Sequence, residues 1–201
     1  TVVFFQVPDV LRILEERAFW DIYYEHCNYF SAGSLARLFR QAGFSVEAVG
    51  RDYDDQYLMI DCRPADGGET SAPLAEEDDM GQLNALVEEF SGQLPGALDE
   101  WRAKVRGFRA DGKRVVIWGA GSKGVAFLTT LGFGEGDVEL AVDINPHRRG
   151  QFMATTGQEI VGPEQLKERK PDVVIIMNPI YRQEIEADLN ELGLAPEVLT
   201  T

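Results

Sequence analysis

The second half of the chain alternates between strand-like and helix-like segments, and this alternation restricts the fold more than any other feature. From Gly112 onward, the apolar runs "RVVIWGA", "VELAVDI" and "DVVIIMN" are each followed by a helical pattern. Strands that alternate with helices form βαβ units around a parallel sheet. We therefore predict a parallel sheet flanked by helices over residues 112–201, with "EVLT" as a candidate last strand.

The turn after the first of these strands has the spacing G-x-G-x-x-G, in "VVIWGAGSKGVAFL". Glycines at this spacing permit a tight turn, close approach of a ligand to the backbone, and close packing of helix on strand. The free N–H groups at the helix N-terminus favour an anion. The candidate substrate- or nucleotide-binding residues are therefore Gly119, Gly121, Ser122, Lys123 and Gly124. Two alternatives stay open: a Rossmann-like turn that binds nothing, and a Lys123 that is merely solvated.

Polar residues also follow the next two predicted strands, at the sheet edge where open α/β sheets bind ligands. Asp143 ends the second strand, where a carboxylate accepts hydrogen bonds from a ribose hydroxyl. Asn178 and Tyr181 follow the third strand and become further candidates. The basic residues of "DINPHRRG" lie at the same edge, either in the crevice or in an exposed loop.

The sequence before residue 111 predicts the tail of another domain followed by a linker. The opening "TVVFF" is typical of a buried strand that begins in mid-domain, which makes us expect a fragment of a longer protein. Helical spacing follows in "DVLRILEERAF" and "SAGSLARLFRQAGF", and then two short strands in "FSVEAVG" and "YLMIDCR". We assign residues 1–63 to the tail of one Rossmann-type domain, 64–110 to a linker with helices interrupted at Pro95, and 111–201 to the parallel-sheet domain.

Composition excludes several classes of function. A formal net charge of −15 argues against a broad nucleic-acid or lipid surface, because phosphates attract clustered Lys and Arg. Two cysteines are too few for a disulfide framework and suit a reducing cytoplasm. No apolar run approaches the ~18 residues of a membrane span, and no cluster has metal-ligand spacing.

The stretch "IYYEHCNYF" holds His26, one of two histidines in the chain, close to Tyr23 and Glu25. A lone histidine usually serves packing, but histidine is also the commonest base near neutral pH, and an adjacent carboxylate can fix its tautomer. Tyr23, Glu25 and His26 are too close in sequence to share one helical face, so we expect part of this stretch to leave the helix.

Taken together, "FWDIYYEHCNYFSAGSLARLFRQAGFSVEAV", "VVIWGAGSKGVAFL", "AVDINPHRRGQF" and "PDVVIIMNPIYRQEI" resemble the C-terminal portion of S-adenosylmethionine-dependent C-methyltransferases, a family that includes enzymes acting on nucleotide-linked deoxysugars. The resemblance implies a C-terminal Rossmann-like domain that helps to hold a small-molecule substrate. It also implies a preceding methyltransferase domain that holds most of the S-adenosylmethionine site, and a zinc-binding segment further upstream.

By the same resemblance, the family's Tyr-x-Glu-His pattern falls on Tyr23, Glu25 and His26. The implied role of His26 is general base at the carbon beside a keto group, with Tyr23 and Glu25 orienting or polarising. The chain alone would then be inactive. The alternatives are a nucleotide-binding module without catalysis and a fragment of an NAD(P)-dependent oxidoreductase or epimerase.

Overall fold

The computed structural model describes residues 1–53, 55–65, 67 and 70–201, and the chain divides into two compact units. The first unit consists of Thr1–Ala18 and His26–Leu94, and the second consists of Phe19–Glu25 and Pro95–Thr201. Asp66, Gly68 and Glu69 of the predicted linker "PADGGETSAP" lie outside the described residues. The mixed α/β fold class is confirmed.

The first unit is built on a three-stranded antiparallel sheet with strand order β1-β3-β2. Its strands are β1 (Val3–Pro8), β2 (Phe44–Asp52) and β3 (Tyr57–Pro64). The expectation of a buried first strand is wrong, because β1 lies at an edge of the sheet and the side chains of Phe4 and Phe5 are 57% and 48% exposed. An apolar run by itself does not distinguish an edge strand from a central one.

Two helices complete the core of this unit, α1 (Val10–Glu15) and α2 (Ala32–Gln41). Helix α1 ends earlier than the predicted "DVLRILEERAF", because Arg17 adopts a left-handed conformation (φ 54°) and the Ala18 amide donates back to the Ile13 carbonyl at 2.9 Å. Helix α2 packs Leu35 and Ala36 against the sheet. Ser31 is the N-cap of α2, and its hydroxyl accepts from the Ser34 amide in a capping box.

Helix α3 (Met80–Ala110) runs through both units and is continuous, so the predicted interruption at Pro95 is wrong. A proline inside a helix removes one backbone hydrogen bond, here to the carbonyl of Ser91. Ser91 and its neighbours Gly92 and Gln93 are exposed, so water can satisfy the free carbonyl group. Pro95 therefore lies on the exposed face of a helix that continues without a break.

The second unit is a five-stranded sheet with order β6-β5-β4-β7-β8, and every described strand pair in it is parallel. Its strands are β4 (Val115–Trp118), β5 (Leu140–Val142), β6 (Glu159–Val161), β7 (Val173–Ile176) and β8 (Glu197–Thr200). This confirms the parallel sheet predicted for residues 112–201. The side chains of β4, β5 and β7 are buried along their full length, as expected for strands covered on both faces.

Three helices flank this sheet: α4 (Ser122–Leu131), α5 (Leu166–Arg169) and α6 (Arg182–Glu191). The short turns Pro163–Gln165 and Pro179–Tyr181 are 3-10 helices that lead into α5 and α6. A third 3-10 turn, Phe19–Asp21, belongs to the same unit and packs against α4. Within the described ranges, no helix is long and apolar enough to cross a membrane.

Candidate functional site

The glycine-rich turn joins the central strand β4 to helix α4 and occupies three residues, Gly119 to Gly121. Gly119 has φ 124°, a region that L side chains rarely adopt, and a β-carbon there would lie 3.0 Å from the β-carbon of Met177. Gly121 has an ordinary extended conformation (φ −84°, ψ −169°). Of these two glycines, only Gly119 requires glycine for its conformation.

Gly124 is required by packing, because a β-carbon there would lie 2.3 Å from the carbonyl oxygen of Gly119. A β-carbon on Gly121 would meet only the flexible Nη1 end of Arg148, at 3.3 Å. The missing side chain at Gly121 keeps the turn accessible from both sides. Two clefts open there.

The first cleft has a volume of about 440 Å³ and lies over the carboxyl ends of β4, β5 and β7. Apolar side chains form its floor, including Trp118, Val142 and Ile176. The predicted binding residues that line it are Gly119, Gly121, Ser122, Lys123, Gly124, Asp143, Asn178 and Tyr181, together with Tyr23 from the predicted catalytic set. The structure therefore brings the residues after three separate strands to one place.

The second cleft has a volume of about 580 Å³ and lies on the other side of the turn. Its wall on one side is Ile22 to Glu25, and on the other side the loop that includes Arg148 and Phe152. Tyr23, Gly121 and Ser122 line both clefts. Both clefts have the size of small-molecule sites, which typically enclose ~300–1,000 Å³.

Asp143 follows β5 and is 8% exposed. Its Oδ2 accepts from the Ala120 amide at 3.3 Å and from Nη1 of Arg148 at 3.0 Å, and its Oδ1 accepts from the Asn145 amide at 2.8 Å. An ionised carboxylate has about four acceptor positions. Asp143 thus fixes the turn and the following loop and retains capacity for about one further donor, so its predicted role toward a ribose stays a prediction.

Ser122 and Lys123 occupy the first turn of α4, and both side chains contact Phe19–Glu25. The Lys123 ammonium group lies 2.8 Å from Oδ1 of Asp21, whose side chain is 6% exposed. The Ser122 hydroxyl donates to Oε2 of Glu25 at 2.7 Å. The predicted phosphate contact of Lys123 is untested, and the ion pair to Asp21 is the contact that the structure gives it.

Asn178 and Tyr181 close the first cleft beside α6. The Asn178 side chain caps the 3-10 turn by accepting from the Ile180 amide at 3.4 Å, and Tyr181 is 43% exposed. Their predicted contribution to a binding crevice stays a prediction, although both residues now lie at its wall.

The segment from Tyr23 to Tyr29 lies outside regular helix, as its sequence predicts. Tyr23 is half-buried and lines both clefts, and Glu25 is exposed and lines the second cleft. His26 is half-buried, belongs to the first unit and makes an edge-on contact with the ring of Tyr29, with centroids 5.9 Å apart. The structure therefore places Tyr23 and Glu25 at the clefts and leaves the catalytic role of His26 as a prediction.

Sequence reasoning missed two acidic residues of the first cleft, Glu184 and Asp188 on α6. Their spacing of four places them on one helical face, which is the signal that could have found them. Asp21 was also missed, because its partner Lys123 is 102 residues away. Glu184 and Asp188 give the first cleft a negative wall, which favours hydroxyl or cationic groups of a ligand on that side.

Residues 64–195 match the protein family described as "C-methyltransferase C-terminal domain". The chain belongs to this family. The matched residues include strands β4 to β7 and every residue that lines the first cleft except Tyr23. The predicted family resemblance is therefore confirmed.

This chain is 31% identical over 189 residues to the C-methyltransferase NovU of Streptomyces niveus. The match covers 90% of this chain and 45% of NovU, so the chain spans a little under half the length of that relative. Among solved structures, a Rex-family repressor matches with 19% identity and a TM-score of 0.35, covering 60% of this chain and 69% of that one.

Proposed function

We propose that this chain is the C-terminal region of an S-adenosylmethionine-dependent C-methyltransferase. The observation that carries the proposal is the family match over residues 64–195, and the similarity to NovU over 90% of the chain supports it. Both cysteines, the exposed Cys27 and the buried Cys62, are free thiols, which is compatible with the cytoplasmic location that we propose.

The methyl acceptor that we propose is a small carbonyl compound, in particular a keto-sugar linked to a nucleotide. Such a molecule combines hydroxyl groups with a diphosphate. The carboxylates of Glu184 and Asp188 suit the hydroxyl groups, and the free amides at the start of α4 suit an anionic group. The cleft volumes support a ligand of this size.

The proposed chemistry begins at the carbon atom beside the carbonyl group. His26 takes a proton from that carbon, and the electron pair of the broken C–H bond is delocalised onto the carbonyl oxygen. That electron pair then forms the new carbon–carbon bond. S-adenosylmethionine supplies the electrophilic methyl group, and the electrons of its S–CH₃ bond stay on sulfur.

Tyr23 and Glu25 are assigned to orientation and polarisation of the reacting groups. Tyr23 lines both clefts, which supports the role assigned to its hydroxyl, donation to a substrate oxygen that carries developing negative charge. Glu25 is an acceptor that can orient a donor beside the substrate.

The proposal assigns most of the S-adenosylmethionine site to a region outside this chain. The chain alone should therefore bind S-adenosylmethionine weakly or not at all in calorimetric titration. Affinity in the low micromolar range would contradict this assignment and would make the glycine-rich turn the cofactor loop.

Among the described residues, no group of three or more His, Cys, Asp or Glu side chains is placed to hold a metal ion.

Methyl transfer itself can be tested with the protein encoded by the complete gene. Incubation with S-adenosylmethionine and a panel of keto-sugar nucleotides should add one methyl group to carbon, detected by mass spectrometry and located by NMR. The matched control is the same nucleotide sugar with the ketone reduced to an alcohol, which has no acidified C–H bond and should not react. Methylation at oxygen or nitrogen, or of the reduced control, would overturn the proposal.

A further inference from the structure

The segment Phe19–Glu25, here called the docked segment, is fixed to helix α4 by aromatic packing at its first residues. The ring of Phe19 stacks on Phe127 with centroids 5.9 Å apart, and Trp20 meets the edge of Phe127 at 6.4 Å. Trp101 contacts the same phenylalanine ring at 5.1 Å. Phe19 and Trp20 are 4% and 6% exposed, so the start of the docked segment belongs to the core of its unit.

The end of the docked segment is held differently, by polar contacts with two consecutive residues of α4. Lys123 bridges the Asp21 carboxylate, with nitrogen–oxygen distances of 2.8 and 3.2 Å to its two oxygens. Ser122 donates to Glu25 at 2.7 Å. The two contacts hold the residues immediately before and after the stretch Ile22–Tyr24.

Tyr23 lies between these two polar contacts and lines both clefts. The backbone from Ile22 to Glu25 is neither helix nor strand, so no continuous ladder of backbone hydrogen bonds fixes it. Its neighbours Ile22 and Tyr24 are 44% and 91% exposed and contribute little packing. Ser122 and Lys123 therefore contact the chain on both sides of Tyr23, at Glu25 and Asp21.

We propose that Ser122 and Lys123 are positioning residues that hold Tyr23 and Glu25 at the clefts. The glycine-rich turn then has a second task besides offering amides to a ligand, because the first residues of its helix orient the docked segment. This inference rests on the proposed function for its catalytic consequence, but the mechanical part concerns only contacts inside the second unit.

The competing role for Lys123 is direct binding of a substrate phosphate. To reach such a group, the ammonium would have to leave the carboxylate of Asp21, whose side chain is 6% exposed, and a buried charge without its partner is unfavourable. The positioning role keeps this ion pair intact. The two roles also differ kinetically, because loss of a ground-state phosphate contact raises KM, whereas misplacement of catalytic groups lowers kcat.

The mechanical part is tested by ¹⁵N relaxation on this chain. In the unaltered protein, the amides of Tyr23 to Glu25 should have order parameters of about 0.85, typical of rigid backbone, and Ser122→Ala should lower them toward about 0.6. Ser122→Thr keeps the hydroxyl and should restore them, while Ser91→Ala, which removes an exposed hydroxyl elsewhere, should change nothing. Unchanged order parameters in Ser122→Ala would overturn the proposal.

The Lys123 contact needs a variant that does not leave Asp21 charged and buried. The double change Asp21→Asn with Lys123→Met removes both charges together and should loosen the same amides, whereas Lys123→Arg should preserve the ion pair and the rigidity. Lys167→Met removes an exposed lysine on α5 and is the matched control. Loosening in the control, or none in the double variant, would contradict the role of Lys123.

The catalytic part is tested in the complete enzyme by a double-mutant cycle. Ser122→Ala should lower kcat about 10- to 100-fold with little change in the KM of the acceptor, and it should cost almost nothing further in a Glu25→Ala background, which has no acceptor for the Ser122 hydroxyl. Additive effects, or a rise in KM alone, would overturn the positioning role. If Glu25→Ala alone is fully active, the proposed role of Glu25 fails, while the relaxation result still decides whether Ser122 holds the segment.

Discussion

A β-carbon on Gly124 would lie 2.3 Å from the carbonyl oxygen of Gly119, closer than real β-carbons come to a backbone atom. The same β-carbon would also press on Ile117 and Met153, at 3.3 and 3.4 Å. The turn and the first turn of α4 therefore pack at a separation that only glycine permits, and the position of the clefts depends on it.

Gly124→Ala should consequently destabilise the second unit by about 1–3 kcal/mol, the usual cost of overpacking, with a larger value if the turn cannot shift. Chemical denaturation followed by tryptophan fluorescence measures this, since Trp118 ends β4 next to the turn. Gly134→Ala is the matched control, because a β-carbon there meets nothing within 4 Å. Equal stability of the two variants would show that the close contact is not rigid.

Gly121 leads to the opposite expectation. Its backbone angles suit any residue, and a β-carbon there would meet only Nη1 of Arg148, at 3.3 Å. Gly121→Val should therefore leave the melting temperature nearly unchanged and abolish binding of an anionic nucleotide at the turn, with ADP as the probe. Thermal melting and calorimetric titration of the same sample check both halves. Unchanged ADP affinity would count against the turn as an anion site.

In the first unit, Arg40 and Glu77 form a bidentate ion pair with both nitrogen–oxygen distances at 2.5 Å, and the side chains are only 11% and 4% exposed. Burial raises the pKa of Glu77, but hydrogen bonds from Arg40 and the Leu74 amide outweigh burial, so the pKa lies below its usual value of 4.5. An acid with a lowered folded pKa stabilises the fold above its unfolded pKa and loses that contribution as pH falls.

Glu77→Gln should therefore cost about 3 kcal/mol at pH 7, as expected for breaking a buried pair. Its difference from the unaltered protein should start to shrink as the pH drops below about 4.5, where the carboxyl of the unfolded chain takes up a proton, and should be lost once the pH passes the lower pKa of the folded state. Denaturation monitored by circular dichroism at several pH values gives both numbers. The exposed neighbour Glu76, changed to Gln, is the control, and a difference that stays constant with pH would contradict the ion-pair account.

The parallel sheet could be predicted from the sequence because β4, β5 and β7 are short, fully apolar runs, and β4 and β7 are each followed by a helix. Strand β6 was missed because it has three residues, Glu159–Val161, and one of them is charged. The break predicted at Pro95 was wrong because the sequence shows a residue that disrupts helices. It does not show that the carbonyl group left without a partner faces solvent.

Part of the candidate site could also be predicted from the sequence. Residues after parallel strands meet at one sheet edge, so Gly119, Asp143 and Asn178 could be grouped from sequence. The contact of Ser122 with Glu25 spans 97 positions and joins two segments with no shared pattern, so only the fold reveals it. Glu184 and Asp188 look like ordinary solvent-facing acids until the cleft beside α6 is known.

We propose that the chain serves carbon methylation with His26 as the base, and solvent deuterium exchange at the acceptor carbon tests this role most directly. In the complete enzyme, without S-adenosylmethionine, the proton beside the carbonyl group should exchange with D₂O. His26→Asn should suppress this exchange and lower kcat by about 10²–10⁴-fold while leaving substrate affinity nearly intact. Undiminished exchange and near-normal turnover in His26→Asn would contradict the account and leave His26 as a packing residue.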